Sequence, residues 1–175
     1  MSALAVWTYP DTAGARRLER CLADGILGDV VVTDGVVVTW SGGRASAQVR
    51  ELQGVARVCN LGAAFWGMLF GIVVSGPELA IMVGSRRRAL DDSLEGVGVD
   101  RDTLVALRRR LQPGGSAVAA ICAESVASVI GSASPTPAGG TSVGGARPTP
   151  TDAAELTMRP LTVEQERALR KVFAV

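Results

Sequence analysis

Histidine is missing altogether from these 175 residues. That removes His-based triads, imidazole metal ligands and the side chain that usually titrates near neutral pH. Aromatic residues make up only 4% of the chain, so a surface for stacking bases or sugars is poorly supplied. Net charge is nearly absent too. The 18 Lys+Arg stand against 17 Asp+Glu, which gives no overall electrostatic reason to bind nucleic acid. The three cysteines, Cys21, Cys59 and Cys122, are odd in number and have no C-x-x-C spacing. They read as small buried hydrophobes in a reducing compartment rather than a disulfide framework or metal site. Met1–Pro10 has no basic stretch ahead of its apolar one, so no secretory signal is read there and a cytoplasmic-side protein is expected. What the chain does have is apolar material, 47% of its residues, enough for a packed core.

The first third predicts the order β-α-β-β. Leu4–Tyr9 is apolar and β-rich and stops at Pro10-Asp11. Asp11 or Thr12 can cap a helix in which Ala15, Leu18, Leu22 and Ile26 share a face. Val30–Val32 and Val36–Trp40 are β-branched runs with a turn signal, Thr33-Asp34-Gly35, between them. Ala45–Leu52 reads as a return strand. Further on, Asp100 caps a helix to about Gln112 with Leu104, Leu107 and Leu111 on one side, and Pro113-Gly114-Gly115 stops it. Ser116–Ala123 reads as a buried strand, Glu124–Gly131 as a short helix and Glu155–Pro160 as an edge strand. Thr162-x-x-Gln165 is a capping-box pattern for a last helix carrying Leu169, Val172 and Phe173.

Between these parts lies a run of another kind. Val58 to Pro77 is twenty residues without a charge, about 30 Å if helical, enough to cross a bilayer core. Ala63, Gly67, Gly71 and Ser75 recur at every fourth position within it, a ladder of small residues that lets another helix backbone approach closely. A buried packing face in a soluble oligomer accounts for the same pattern. The second arm, after Pro77, carries Arg86, Arg87 and Arg88, then Asp91, Asp92 and Glu95. The three arginines follow the apolar run closely enough to meet anionic headgroups at a membrane surface. Ser132–Thr151, with four prolines and four glycines, reads as a solvated linker.

Catalytic chemistry finds no foothold. The glycines form neither G-x-G-x-x-G nor a phosphate loop, since Gly71 is followed by Ile72. Asp91, Asp92 and Glu95 have no further ligand partners, and Arg108–Arg110 reads as a polar helix face. No enzyme activity, cofactor or metal is expected.

Asn60-Leu61-Gly62 with Phe65-Trp66-Gly67-Met68-Leu69-Phe70-Gly71, Val36–Trp40 before Ser41-Gly42-Gly43, and Gly98-Val99-Asp100 carry a resemblance. So do Leu111-Gln112-Pro113-Gly114-Gly115 and the Leu161–Leu169 stretch. Together they resemble the bacterial family called domain of unknown function 1269. That resemblance implies an α+β protein with a glycine-rich helical insertion, often predicted to be membrane-associated, and it brings no catalytic residues.

The expected architecture is an α+β, ferredoxin-like sandwich with an inserted apolar glycine-ladder helical hairpin. Residues 1–53 and 100–131 form the body, 54–99 the hairpin, 132–151 the linker, and 152–175 a strand and helix that dock on the body. The expected function is that of a non-enzymatic, self-associating, membrane-linked bacterial protein with a structural or stress-related role. Ala63, Phe65, Trp66, Gly67, Gly71 and Ser75 are the candidate self-association residues, and Arg86, Arg87 and Arg88 the candidate membrane-surface residues. Its partner is then a second copy of itself, without nucleic acid, on the cytoplasmic side of the cell membrane. The alternative is a soluble cytoplasmic ferredoxin-like oligomer that binds a small ligand or a partner protein.

Overall fold

The computed structural model describes residues 2–25, 32–53, 61, 63–75, 94, 96, 98–132 and 154–173. Along them run β1 (Ser2–Tyr9), α1 (Gly14–Ala23), β2 (Val32–Thr39), β3 (Gln48–Glu51) and α2 (Ala63–Ser75). Then come α3 (Arg101–Arg110), β4 (Ser116–Ala123), α4 (Glu124–Ser132), β5 (Glu155–Leu161) and α5 (Val163–Phe173). The chain is a mixed α+β structure with a five-stranded sheet in the order β3-β2-β4-β1-β5, antiparallel at every pairing. The residues expected to form the linker, other than Ser132 at the end of α4, lie outside the described residues, as does nearly all of the second arm.

Two apolar layers cover the sheet. On one face Ala5, Trp7, Val37 and Val118 pack with Leu18 of α1 and Ile130 of α4. On the other Leu4, Val36 and Ile121 pack with Phe70 of α2, Leu107 of α3 and Leu169 of α5. Strand β4 serves both layers. Its Ala117, Ala119 and Ile121 face α2, and Val118, Ala120 and Cys122 face α1. Ser116 to Cys122 are all buried, as a central strand covered on both sides requires.

The helix ends follow local chemistry. Asp100 Oδ1 accepts from Thr103 N at 2.9 Å and from Thr103 Oγ1 at 2.6 Å, capping α3. Thr162 and Gln165 form the reciprocal box, with Gln165 N donating to Thr162 Oγ1 at 3.1 Å and Thr162 N to Gln165 Oε1 at 3.0 Å. Gly98 sits under this box at φ +88°, and a Cβ there would meet Gln165 Cδ at 3.0 Å. Both its conformation and its space call for glycine.

Thr33-Asp34-Gly35 is not a turn. Strand β2 runs straight through it with a bulge: Val32 pairs with Cys122 and Asp34 with Ile121, leaving Thr33 as the extra residue. A turn would have cost the pairing of Gly35 and Val36 with Ala120 and Ala119, and that ladder outweighs the local turn preference. Its consequence is positional. Val32 packs toward α1, whereas Val36 and Val38 pack toward α2.

Several surface carboxyls are held below their ordinary range. Asp11 is lowered chiefly by its hydrogen bonds from Arg17 (2.8 and 3.2 Å). Asp100 is lowered by Thr103, with Arg159 beside it, and Glu166 by Arg170. Each therefore binds its proton more readily in the unfolded chain, so its contribution is complete above the ordinary values of 3.8 and 4.5 and is lost as pH falls below them. Urea midpoints are expected to stay level from about pH 6 to 8, where no histidine titrates, and to drop from about pH 4 downward. The pairs are only half-buried, so the drop is modest. A midpoint at pH 3 equal to that at pH 6 would show that these pairs contribute nothing.

Candidate functional site

Helix α2 turns its heavy side chains one way and its small ones the other. Phe65, Trp66, Leu69, Phe70, Val73 and Val74 are all buried under it against the sheet. Ala64, Gly67, Gly71 and Ser75 are exposed along its outer side, with Met68 and Ile72 half-buried at the margin. Phe65 and Trp66 meet edge-on with ring centroids 4.9 Å apart.

Both ends of α2 are pinned by polar contacts. At the start, Asp34, 2% exposed at the β2 bulge, accepts from Leu61 N at 2.5 Å and from Trp66 Nε1 at 3.1 Å. At the far end, Arg108 of α3 donates to the carbonyl of Val74 at 2.7 Å, satisfying a group that a helix terminus leaves open. The Arg108 guanidinium lies 4.8 Å from the centre of the Trp40 ring. Trp40 is fixed in turn by donation from its Nε1 to Arg44 O at 2.9 Å. Helix α2 is thus tied to β2 at Trp66 and to α3 at Val74.

On that face a Cβ at Gly67 or Gly71 would meet no described residue within 4 Å. Glycine costs a helix about 1 kcal/mol relative to alanine, and the described structure gives nothing back for it at either position. Glycine at these positions leaves the backbone open to close approach.

Of the candidate self-association residues, Gly67, Gly71 and Ser75 therefore share an open face. Phe65 and Trp66, at 0% and 1% exposure, lie beneath the helix in the core of the chain. Ala63 opens α2, and its side chain lies outside the described residues, as do Arg86, Arg87 and Arg88. The described helix is thirteen residues of the twenty-residue uncharged run, and no helix among the described residues is long and apolar enough to cross a membrane. Cys21 is half-buried, Cys122 is buried with its thiol raised to about 11 by desolvation, and Cys59 lies outside the described residues.

Two residues that organise the site escaped the sequence reading. Asp34 was masked by its turn-like neighbours, although a carboxylate in a valine-rich strand is itself an anomaly. Arg108 belonged to a run whose members have separate uses: Arg110 donates to Leu156 O at 2.8 Å on β5, the outer strand among the described residues, while Arg109 is exposed. Beside Asp34 lies a cavity of about 220 Å³, counting its open mouth, lined by Thr33, Leu61, Ile121, Glu166, Leu169 and Arg170. The space within it open to a water-sized body is only about 10 Å³, far too small for a small-molecule ligand. No cluster of three potential metal-binding side chains occurs among the described residues.

Residues 60–143 match the family model described as Protein of unknown function (DUF1269). The matched stretch holds α2, α3, β4 and α4, and it supports the family resemblance that the glycine ladder carries. No curated protein and no solved structure matches the chain.

Proposed function

We propose that this protein is a non-enzymatic self-associating module in which α2 of one copy packs, through Gly67, Gly71 and Ser75, against α2 of another. The observation that carries this reading is the pair of exposed helical glycines with no described residue within 4 Å of an added Cβ, on a helix held by polar contacts at Trp66 and Val74. The apolar bulk of α2 is already used in the core. What remains outside is shallow and suited to a second protein helix, for which small residues permit close van der Waals approach. The reading includes a ferredoxin-like frame, supported by β1 and β2 running parallel on either side of β4, and by β4 and β5 doing so around β1. It also includes a link to the cytoplasmic face of the membrane through Arg86, Arg87 and Arg88, and a structural or stress-related role.

Sedimentation across a concentration series, with and without detergent and anionic vesicles, tests the proposal. The parent protein is expected to form a concentration-dependent larger species. Gly67→Ile and Gly71→Ile are each expected to weaken it at least tenfold, and Met68→Ile to leave it nearly unchanged. Because an added Cβ at 67 or 71 meets no described residue within 4 Å, the glycine variants are expected to fold, which a melting curve checks. Glycine variants that keep the parental distribution would remove the α2 face from the reading. Sedimentation with vesicles that is unchanged when the three arginines are neutralised would remove the membrane link.

A further inference from the structure

Trp7 Nε1 and the Tyr9 hydroxyl are buried with no hydrogen-bond partner among the described residues, and each residue is 1% exposed. Both belong to β1 and, two positions apart, both face the layer of α1 and α4. Their Cα atoms are therefore about 7 Å apart. The Tyr9 ring lies against the first turn of α1, where Gly14 leaves it room. Leu18, Leu22, Ala127, Ile130 and the buried Cys122 share this layer, and Arg17, Cys21 and Asp11 lie near enough to act electrostatically on the Tyr9 hydroxyl.

An indole N–H can only donate, and a phenol gains most when its O–H is accepted. An unmet donor in such a place lowers the folding constant roughly fivefold or more. Two on one face of an internal strand make a consistent chemical demand for a small acceptor. The nearby Asp11 carboxylate accepts from Ala13 N and from Arg17 rather than from Tyr9, and a further charged acceptor would be costly to desolvate there. Water supplies two lone pairs in about 30 Å³, and a chain of this length holds roughly six internal waters by the usual frequency.

We infer that the core between β1 and the α1/α4 layer encloses ordered water that accepts hydrogen bonds from Trp7 Nε1 and the Tyr9 hydroxyl. This site lies on the opposite side of the sheet from α2 and does not depend on the self-association reading. It makes the α1/α4 layer partly polar in function although its residues are almost wholly apolar.

Two measurements on the full chain test it. A rotating-frame water experiment on ¹⁵N-labelled protein is expected to show a cross-peak between the Trp7 indole N–H and water. Tyr9→Phe keeps the ring against Gly14 and removes only the hydroxyl, and it is expected to lower the folding constant about tenfold. A missing cross-peak would overturn the inference. So would a Tyr9→Phe protein whose folding constant is unchanged or raised, the result for a hydroxyl in a dry site.

Discussion

Asp34→Ala is expected to lower stability by about 4 kcal/mol, the largest single effect on the candidate site. The substitution leaves two buried donors, Leu61 N and Trp66 Nε1, without this acceptor, at about 1–3 kcal/mol each. It also opens space beneath the start of α2, beside the existing cavity. Asp34→Asn separates the causes. An amide keeps the volume and one acceptor oxygen but points an N–H₂ at one of the two donors, so about half the loss should remain. Urea unfolding followed by tryptophan fluorescence reads both variants. A parental midpoint for Asp34→Ala would show that α2 does not depend on this contact.

Gly14→Ala is expected to cost about 3 kcal/mol although alanine is the better helix former. A Cβ at Gly14 would fall well inside contact distance of the Tyr9 ring, which is buried and pressed between α1 and the sheet. The ring cannot swing to solvent without uncovering the core. Alanine at the exposed Gly67 or Gly71 is the matching control: the same chemical change in open space should raise stability by up to about 1 kcal/mol. Opposite signs from one substitution type, measured by denaturant titration, would confirm that space decides the outcome. Equal signs would contradict the packing described for Tyr9.

Local chemistry made much of the fold legible. Ser116–Ala123 is the strand its apolar run implied, Asp100 and Thr162 are the caps their spacing implied, and Leu104, Leu107 and Leu111 are buried together. These features depend on residues within a few positions of one another. The central place of β4 was not legible, because it depends on pairing with β1 and β2 far away in the chain. The bulge was hidden for the same reason. Asp34-Gly35 looks like a turn until β4 supplies the ladder that makes it a strand. At the candidate site the spacing of the glycines was visible, but not which side of the helix would be left open. That was decided by Phe65, Trp66, Leu69 and Phe70 taking the sheet side.

The extra residue at Thr33 also acts as a frame marker in the sequence of β2. Deleting it in thought puts Val32 directly before Asp34, opposite the consecutive partners Cys122 and Ile121, and every other residue keeps its own side of the sheet. The same deletion between Val36 and Val38 would reverse the sides of everything on one flank. One strand therefore contains a position where a lost codon is silent for orientation, a few residues from positions where it would turn the core inside out. Length variation in this strand is tolerable at the bulge alone, next to the carboxylate that holds α2.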